Sequence, residues 1–251
     1  LTTAKKTNAF LKSGNAQAMQ QTLRKLDRAF NDMKSKKMGF PRYKKKLKSF
    51  NLIGNLSIKN NHIVMPLLKS IKFRKSRDIP QGFKIKQIQI IKKASGYYAN
   101  LMIDLDVNVV KPTPHGHAVG VDVGIRSMLA TSDGLILPRP KFLDKALRKI
   151  KLLQRKLRNK KTGSNKWKQL QHRIALLHEA VANKRKDYHF KLAHQLCKNV
   201  GMIFVEDINF NSWSKGLFCK QSLDMGLGQF FNILEYICSI TDTYFAKVDK
   251  N

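Results

Sequence analysis

The apolar positions of this chain change period as it proceeds, and each change predicts a different kind of element. Between Ser13 and Lys36, Met19, Leu23, Leu26, Phe30 and Met33 stand four, three, four and three apart, which predicts a helix with one apolar stripe. Gly39-Phe40-Pro41 ends it. From Ser49 to Val109 period two takes over. Six segments (Phe50 to Ile53, Leu56 to Lys59, His62 to Met65, Ser70 to Phe73, Lys84 to Lys92, Tyr97 to Asp106) alternate or run apolar between Asn, Gly and Pro punctuation. These predict a small antiparallel barrel or sandwich. Tyr97 and Tyr98 flank its last turn, where the expected role is core or cross-strand pairing, with base stacking as the rarer use.

Lys111 to Gly116, with two prolines and a glycine, reads as a linker. Beyond it, Val119 to Val123, Ser127 to Thr131 and Leu135 to Leu137 predict a three-stranded meander closed by a two-residue Asp133-Gly134 turn. Two helical stripes follow: Ala146, Ile150, Leu153 and Leu157 within about Lys141 to Arg158, then Trp167, Leu170, Ile174, Leu177 and Val181. The short polar loop from Asn159 to Asn165 makes them an antiparallel hairpin, covering about residues 141–199. Met202 to Val205 is a continuous apolar run, expected to be a strand buried on both faces and ending in Glu206-Asp207. Gly228 to Ile240 predicts a helix and Thr243 to Val248 a last strand.

Composition adds a partner to this outline. With 49 Lys and Arg against 16 Asp and Glu, the formal charge is +33, which calls for a polyanion. The run from Arg42 through Tyr43, Lys44 and Lys45 to Lys46 and the outer faces of the hairpin concentrate that charge, with few acids to balance them. No apolar run approaches the roughly 18 residues of a spanning helix and no leader pattern opens the chain, so the expectation is a cytoplasmic, nucleoid-associated protein without a membrane partner. Cys197, Cys219 and Cys238 form no CxxC pair and are expected to be reduced structural thiols.

Against this basic background Asp122 is conspicuous. In an extended strand Val119, Val121 and Val123 share one face while Ala118, Gly120 and Asp122 share the other, so the acid stands among small neighbours. Glu206 and Asp207 follow the fourth strand of the unit, and alternation allows only one of them to join Asp122; pattern alone does not choose. The order strand, strand, strand, helices, strand, helix, strand is that of the RNase-H-like plan, in which the first and fourth strands are neighbours and their acids could hold Mg²⁺ or Mn²⁺ for phosphodiester hydrolysis. The actin and sugar-kinase plan shares this order and an Asp-x-Gly turn. The charge of +33 favours a polynucleotide over a metabolite.

Gly120 to Ser127, Pro140 to Leu143, Leu153 to Leu157, His178 to Tyr188 and Val205 to Asn209, taken in order, resemble the TnpB (OrfB) family of insertion-sequence proteins, relatives of type V CRISPR effectors. The resemblance implies an α/β (α+β overall) chain. Residues 1–47 would be the end of a helical recognition lobe, 48–110 a β-barrel wedge-like domain, 111–116 a linker, and 117–251 an RNase-H-like RuvC domain carrying the helical hairpin. It implies an RNA-guided, two-metal DNA endonuclease with guide RNA and target DNA as partners, and it selects Glu206 over Asp207 as the second catalytic and metal-binding acid beside Asp122. Arg42, Tyr43, Lys44, Lys45, Arg126, Arg155, Lys156, Lys166, Arg173, Lys184 and Arg185 are the expected nucleic-acid contacts. Family members extend further at both ends, into a zinc ribbon and a third catalytic Asp, so the chain is expected to be a shortened form; Asp249 matches a non-catalytic position, and zinc has no ligands here. A remnant that binds nucleic acid without cutting it is the alternative reading.

Overall fold

Asn15 starts the long N-terminal helix by accepting a hydrogen bond on its side chain from the Ala18 amide (2.9 Å). A computed structural model describes residues 1–249 except Lys37, Lys45, Asn55, Asn60, 66–68, 106–109 and Ser214. It divides into two units, Leu1–Asn108 and Val109–Asn251.

In the first unit, α1 (Thr2–Thr7) and α2 (Ala9–Ser13) precede α3 (Ala16–Ser35). The predicted start at Ser13 is therefore late in α2, because the break at Gly14-Asn15 hands the chain from one cap to the next. The predicted stripe is not a buried one. Leu23 and Leu26 are each about half exposed, and Ala18 is the α3 residue that meets the core.

The strands of this unit are β1 (Ser49–Leu52), β2 (Ser57–Lys59), β3 (His62–Met65), β4 (Lys69–Lys72), β5 (Lys84–Lys92) and β6 (Tyr97–Asp104). They form two antiparallel three-stranded sheets, β1-β5-β6 and β2-β3-β4. The expected barrel is thus not closed by hydrogen bonds among the described residues. The sheets instead share one cluster, Leu52 from β1, Ile63 from β3 and Ile88 from β5, all nearly inaccessible to solvent. Tyr97 and Tyr98 are exposed at the β5–β6 turn, with the Lys92 and Lys93 ammonium groups 5.5 and 4.8 Å from their rings. They are cross-strand partners, not core.

In the second unit, β7 (Ala118–Asp122), β8 (Ser127–Thr131), β9 (Ile136–Pro138), β10 (Met202–Glu206) and β11 (Tyr244–Val248) make one sheet ordered β11-β10-β7-β8-β9. β10 runs parallel to both β7 and β11, while β8 is antiparallel to β7 and β9. The first and fourth strands of the unit are therefore neighbours. The β8–β9 connection is longer than the two-residue turn expected: the Thr131 amide donates to Leu135 O at 2.9 Å and Ile136 pairs with Ala130.

Between β9 and β10 run α4 (Asp144–Arg158) and α5 (Asn165–Leu196), the second capped by the Ser164 hydroxyl. α4 starts three residues later than predicted, where Asp224 accepts the Leu143 amide at 3.0 Å. Ile150 and Leu153 of α4 are buried in the seam. The last part of α5 enters the main core, burying His189, Leu192, Ala193 and Leu196 against Phe230, Phe231 and Leu234. Those three belong to α8 (Leu227–Ile240), which follows α6 (Phe210–Trp213) and α7 (Cys219–Met225). Among the described residues, no helix is long and apolar enough to cross a membrane.

Gly201, just before β10, is held against the start of the sheet by its amide, which donates to His117 O at 2.9 Å. A Cβ on Gly201 would run into the His115 carbonyl. Gly201→Ala should therefore cost about 1–3 kcal/mol. Denaturant unfolding of the chain checks this, and unchanged stability would contradict the close approach.

Candidate active site

β7 presents its residues as alternation requires. Val119, Val121 and Val123 are nearly inaccessible, whereas Ala118, Gly120 and Asp122 are exposed. On β10, Ile203 and Val205 are buried, leaving Phe204 and Glu206 on the other face. The parallel register aligns Ile203 with Val119, Phe204 with Gly120 and Val205 with Val121. One step further along both strands stand Glu206 and Asp122, on the same face and at the same end. Asp207 has left the strand; its amide donates to Val248 O at 3.0 Å and it lines a different cavity with Asn209, Asn232 and Lys247.

A cavity of about 560 Å³ opens over this end of the sheet, lined by Asp122, Glu206 and Asp249 together with Gly120, Ser132, Thr131 and Phe204. Three acids are among its lining residues, and among the described residues no Lys or Arg lines it. The floor is made of small groups: the Gly120 amide donates to the Ser132 hydroxyl at 3.1 Å, and the Ser132 amide donates back to Gly120 O at 2.9 Å. The arrangement leaves room above the acids for a phosphate-sized group.

No group of three or more His, Cys, Asp or Glu among the described residues stands close enough to hold a metal ion unaided. The donor set nevertheless suits a small hard cation. Mg²⁺ is characteristically held by one or two carboxylates and completes its shell with water and substrate phosphate. Asp122 and Glu206, oxygen donors on adjacent strand ends, fit that requirement.

The expected nucleic-acid contacts fall into separate groups. Arg42, Tyr43 and Lys44 are exposed in the irregular stretch of the first unit, and Lys45 lies outside the described residues. Arg126 is exposed in the β7–β8 turn. Arg155, Lys156, Lys166, Arg173 and Lys184 are exposed on the hairpin. Arg185 differs: it turns inward and donates to the carbonyls of Leu223 and Asp224 (2.8 and 3.3 Å), tying α5 to the end of α7. Its position beside Asp224 and Gly226 explains this, since a side chain on that face of α5 meets protein rather than solvent.

Two buried features had no signal in the pattern. His189 is fully buried, with Phe142, Tyr188 and Phe230 rings edge-on to it and neither ring nitrogen hydrogen-bonded among the described residues. Burial pushes its pKa down to about 4; the Met225 backbone opposes the shift and the Arg185 cation reinforces it. Cys197 and Cys238, 41 positions apart, bring their sulfurs to 3.6 Å in the core. Spacing could not reveal this, because the α5–α8 packing makes it.

In fold class this is a mixed α/β protein of the kind represented by Cas12f1. The solved structure described as a Cas12f1-sgRNA-target DNA complex aligns with 94% of the chain and 62% of its own length, with a TM-score of 0.54 and 15% identity. Residues 101–215 match the family model OrfB_IS605, described as "Probable transposase". Over that stretch the chain is similar to the OrfB family. Among its relatives, the "Putative RNA-guided DNA endonuclease InsQ" of Escherichia coli K12 is 29% identical over 210 residues, covering 82% of this chain and 52% of the relative. A "Putative RNA-guided DNA endonuclease" of Streptomyces pristinaespiralis is 26% identical over 260 residues, covering the whole chain and 64% of the relative. The chain thus spans roughly half to two thirds of the length of these relatives.

Proposed function

We propose that the chain is the RNase-H-like nuclease part, with its preceding wedge-like unit, of an RNA-guided DNA endonuclease. The observation that carries this reading is the cavity at the ends of β7 and β10, where Asp122 and Glu206 stand side by side in a chain of charge +33. The relatives' names and the strand order β11-β10-β7-β8-β9 support it.

In this reading Asp122 and Glu206 hold Mg²⁺ or Mn²⁺ from neighbouring strands. When bound, the divalent ions activate water and stabilise the leaving oxygen of a phosphodiester. The residues of the chain do the rest. The paired strands keep the two carboxylates at fixed separation, and the Gly120–Ser132 floor admits the backbone. The basic surfaces hold the guide RNA and target DNA by their phosphates, while base pairing reads sequence.

The test is co-expression of the chain with RNA from the flanking element, sequencing of the RNA that co-purifies, and Mg²⁺-dependent cutting of a matched duplex. Cutting that is guide-dependent and lost in Asp122→Ala supports the reading. Bound RNA without Asp122-dependent cutting would instead identify a binding protein.

A further inference from the structure

The cations of the α4–α5 hairpin are not spread evenly round it. On α5, Lys166, Arg173, Lys184 and Lys191 are separated by seven, eleven and seven residues. At 3.6 residues per turn, all four return to within about 20° of one line along the helix. On α4, Lys145, Lys149 and Lys156 are four and seven apart and lie within about 40° of each other, to one side of the buried Ile150 and Leu153.

The two series meet on one side of the hairpin. A cavity of about 700 Å³ between the helices is lined by Lys141, Lys145, Lys149, Lys184 and Lys191, and another of about 510 Å³ at the tip by Lys156, Lys160, Lys166 and Arg173. Every cation of both series lines one of these two cavities. One carboxylate, Asp187, lines the larger, paired with Lys191 at 2.7 Å. Lys151, Arg155, Arg158 and Lys168 of the same helices line neither cavity.

From Lys166 to Lys191 is 25 residues, or about 37 Å of straight helix, close to the roughly 34–36 Å of one duplex turn. Single-strand sites interleave cations with exposed aromatic platforms. The aromatic side chains at these two cavities, Phe142 and Tyr188, are only partly accessible and stack on each other edge to face at 5.5 Å. We propose that this face is a track for the sugar-phosphate backbone of a nucleic-acid duplex about one turn long, running from the hairpin tip toward the body of the second unit. The inference rests on the polynucleotide reading above and specifies its surface and the form of its ligand. It assigns Lys141, Lys145, Lys149 and Lys191 to binding beside Lys156, Lys166, Arg173 and Lys184, and leaves Arg155 off the contact.

The test is anisotropy titration of the full chain with a labelled two-turn DNA duplex, an RNA–DNA heteroduplex and a single strand, across a salt series. Combining Lys149→Gln, Lys156→Gln, Arg173→Gln and Lys184→Gln should lower the slope of log K against log salt on the DNA duplex by about 3 to 4, at roughly 0.9 per lost phosphate contact. Combining Lys151→Gln, Arg158→Gln, Lys168→Gln and Lys186→Gln removes the same charge from the far side and should change it by less than about 1. All eight positions are exposed, so both variants should keep the wild-type helical circular dichroism. Equal effects from the two variants, or none from the first, would overturn the track. Tighter binding of the single strand than of either duplex would overturn the duplex, and the two duplex arms distinguish DNA from hybrid. Because nothing is cut in this assay, the track can fail while guided cleavage stands, and cleavage can fail in a chain whose track still binds.

Discussion

On the proposed nuclease reading, Glu206→Gln should lower metal-dependent cleavage roughly 10³-fold, about 4 kcal/mol of barrier, while Asp207→Asn should leave it within about threefold. The two acids are adjacent, and charge alone does not separate them. Geometry does: Ile203 and Val205 are buried, so Glu206 emerges on the opposite face, one step beyond the Val205–Val121 pair and level with Asp122. Asp207 is carried off that face as its amide bonds Val248 O. Gln keeps the size of Glu206 and removes the charge that attracts the cation, exchanging one acceptor oxygen for an NH₂ donor. The measurement is single-turnover cutting of a guide-matched duplex by each variant. Equal losses would show that the alternation of β10 does not govern the site.

Between pH 6.5 and 4 the chain should lose about 3 kcal/mol of stability through His189 alone, with its pKa near 4 in the fold against an ordinary 6.5. The sign follows from which state takes the proton. In that window the unfolded chain binds a proton at His189 and the folded chain does not, so acid favours unfolding; below about pH 4 both states are protonated and the contribution levels off. Urea unfolding at a series of pH values measures it. His189→Phe, which keeps a ring among Phe142, Tyr188 and Phe230, should flatten the profile across this range. A slope that persists in His189→Phe would assign the acid sensitivity elsewhere.

Much of the candidate site was legible in the residues. Period two around Asp122 predicted its face correctly, because a strand's alternation is a local property and Val119, Val121 and Val123 leave no other choice. The neighbourhood of the first and fourth strands followed from the order of elements. The choice between Glu206 and Asp207 was not local, since it depends on the register of β10 against β7, which the structure supplies. Arg185 misled for a similar reason: its sequence neighbours are solvent-facing cations, and only the return of α7 to α5 gives it carbonyls to bind. The two sheets of the first unit have strands near the predicted places, but which edges pair is set by contacts between distant strands, and six short runs do not state whether they close. His189 and the Cys197–Cys238 contact are products of packing and carry no periodic trace.

The pairing of β7 with β10 has a kinetic meaning as well as a geometric one. Its partners lie 84 positions apart, joined through the whole helical hairpin, and closing so long a loop precedes any reward from the contact. Asp122 and Glu206 therefore become neighbours only when this long-range pairing forms, and they part when the sheet itself opens. Fraying at either end of the hairpin does not separate them. The carboxylate pair is as cooperative as the unit that carries it, present whole or absent.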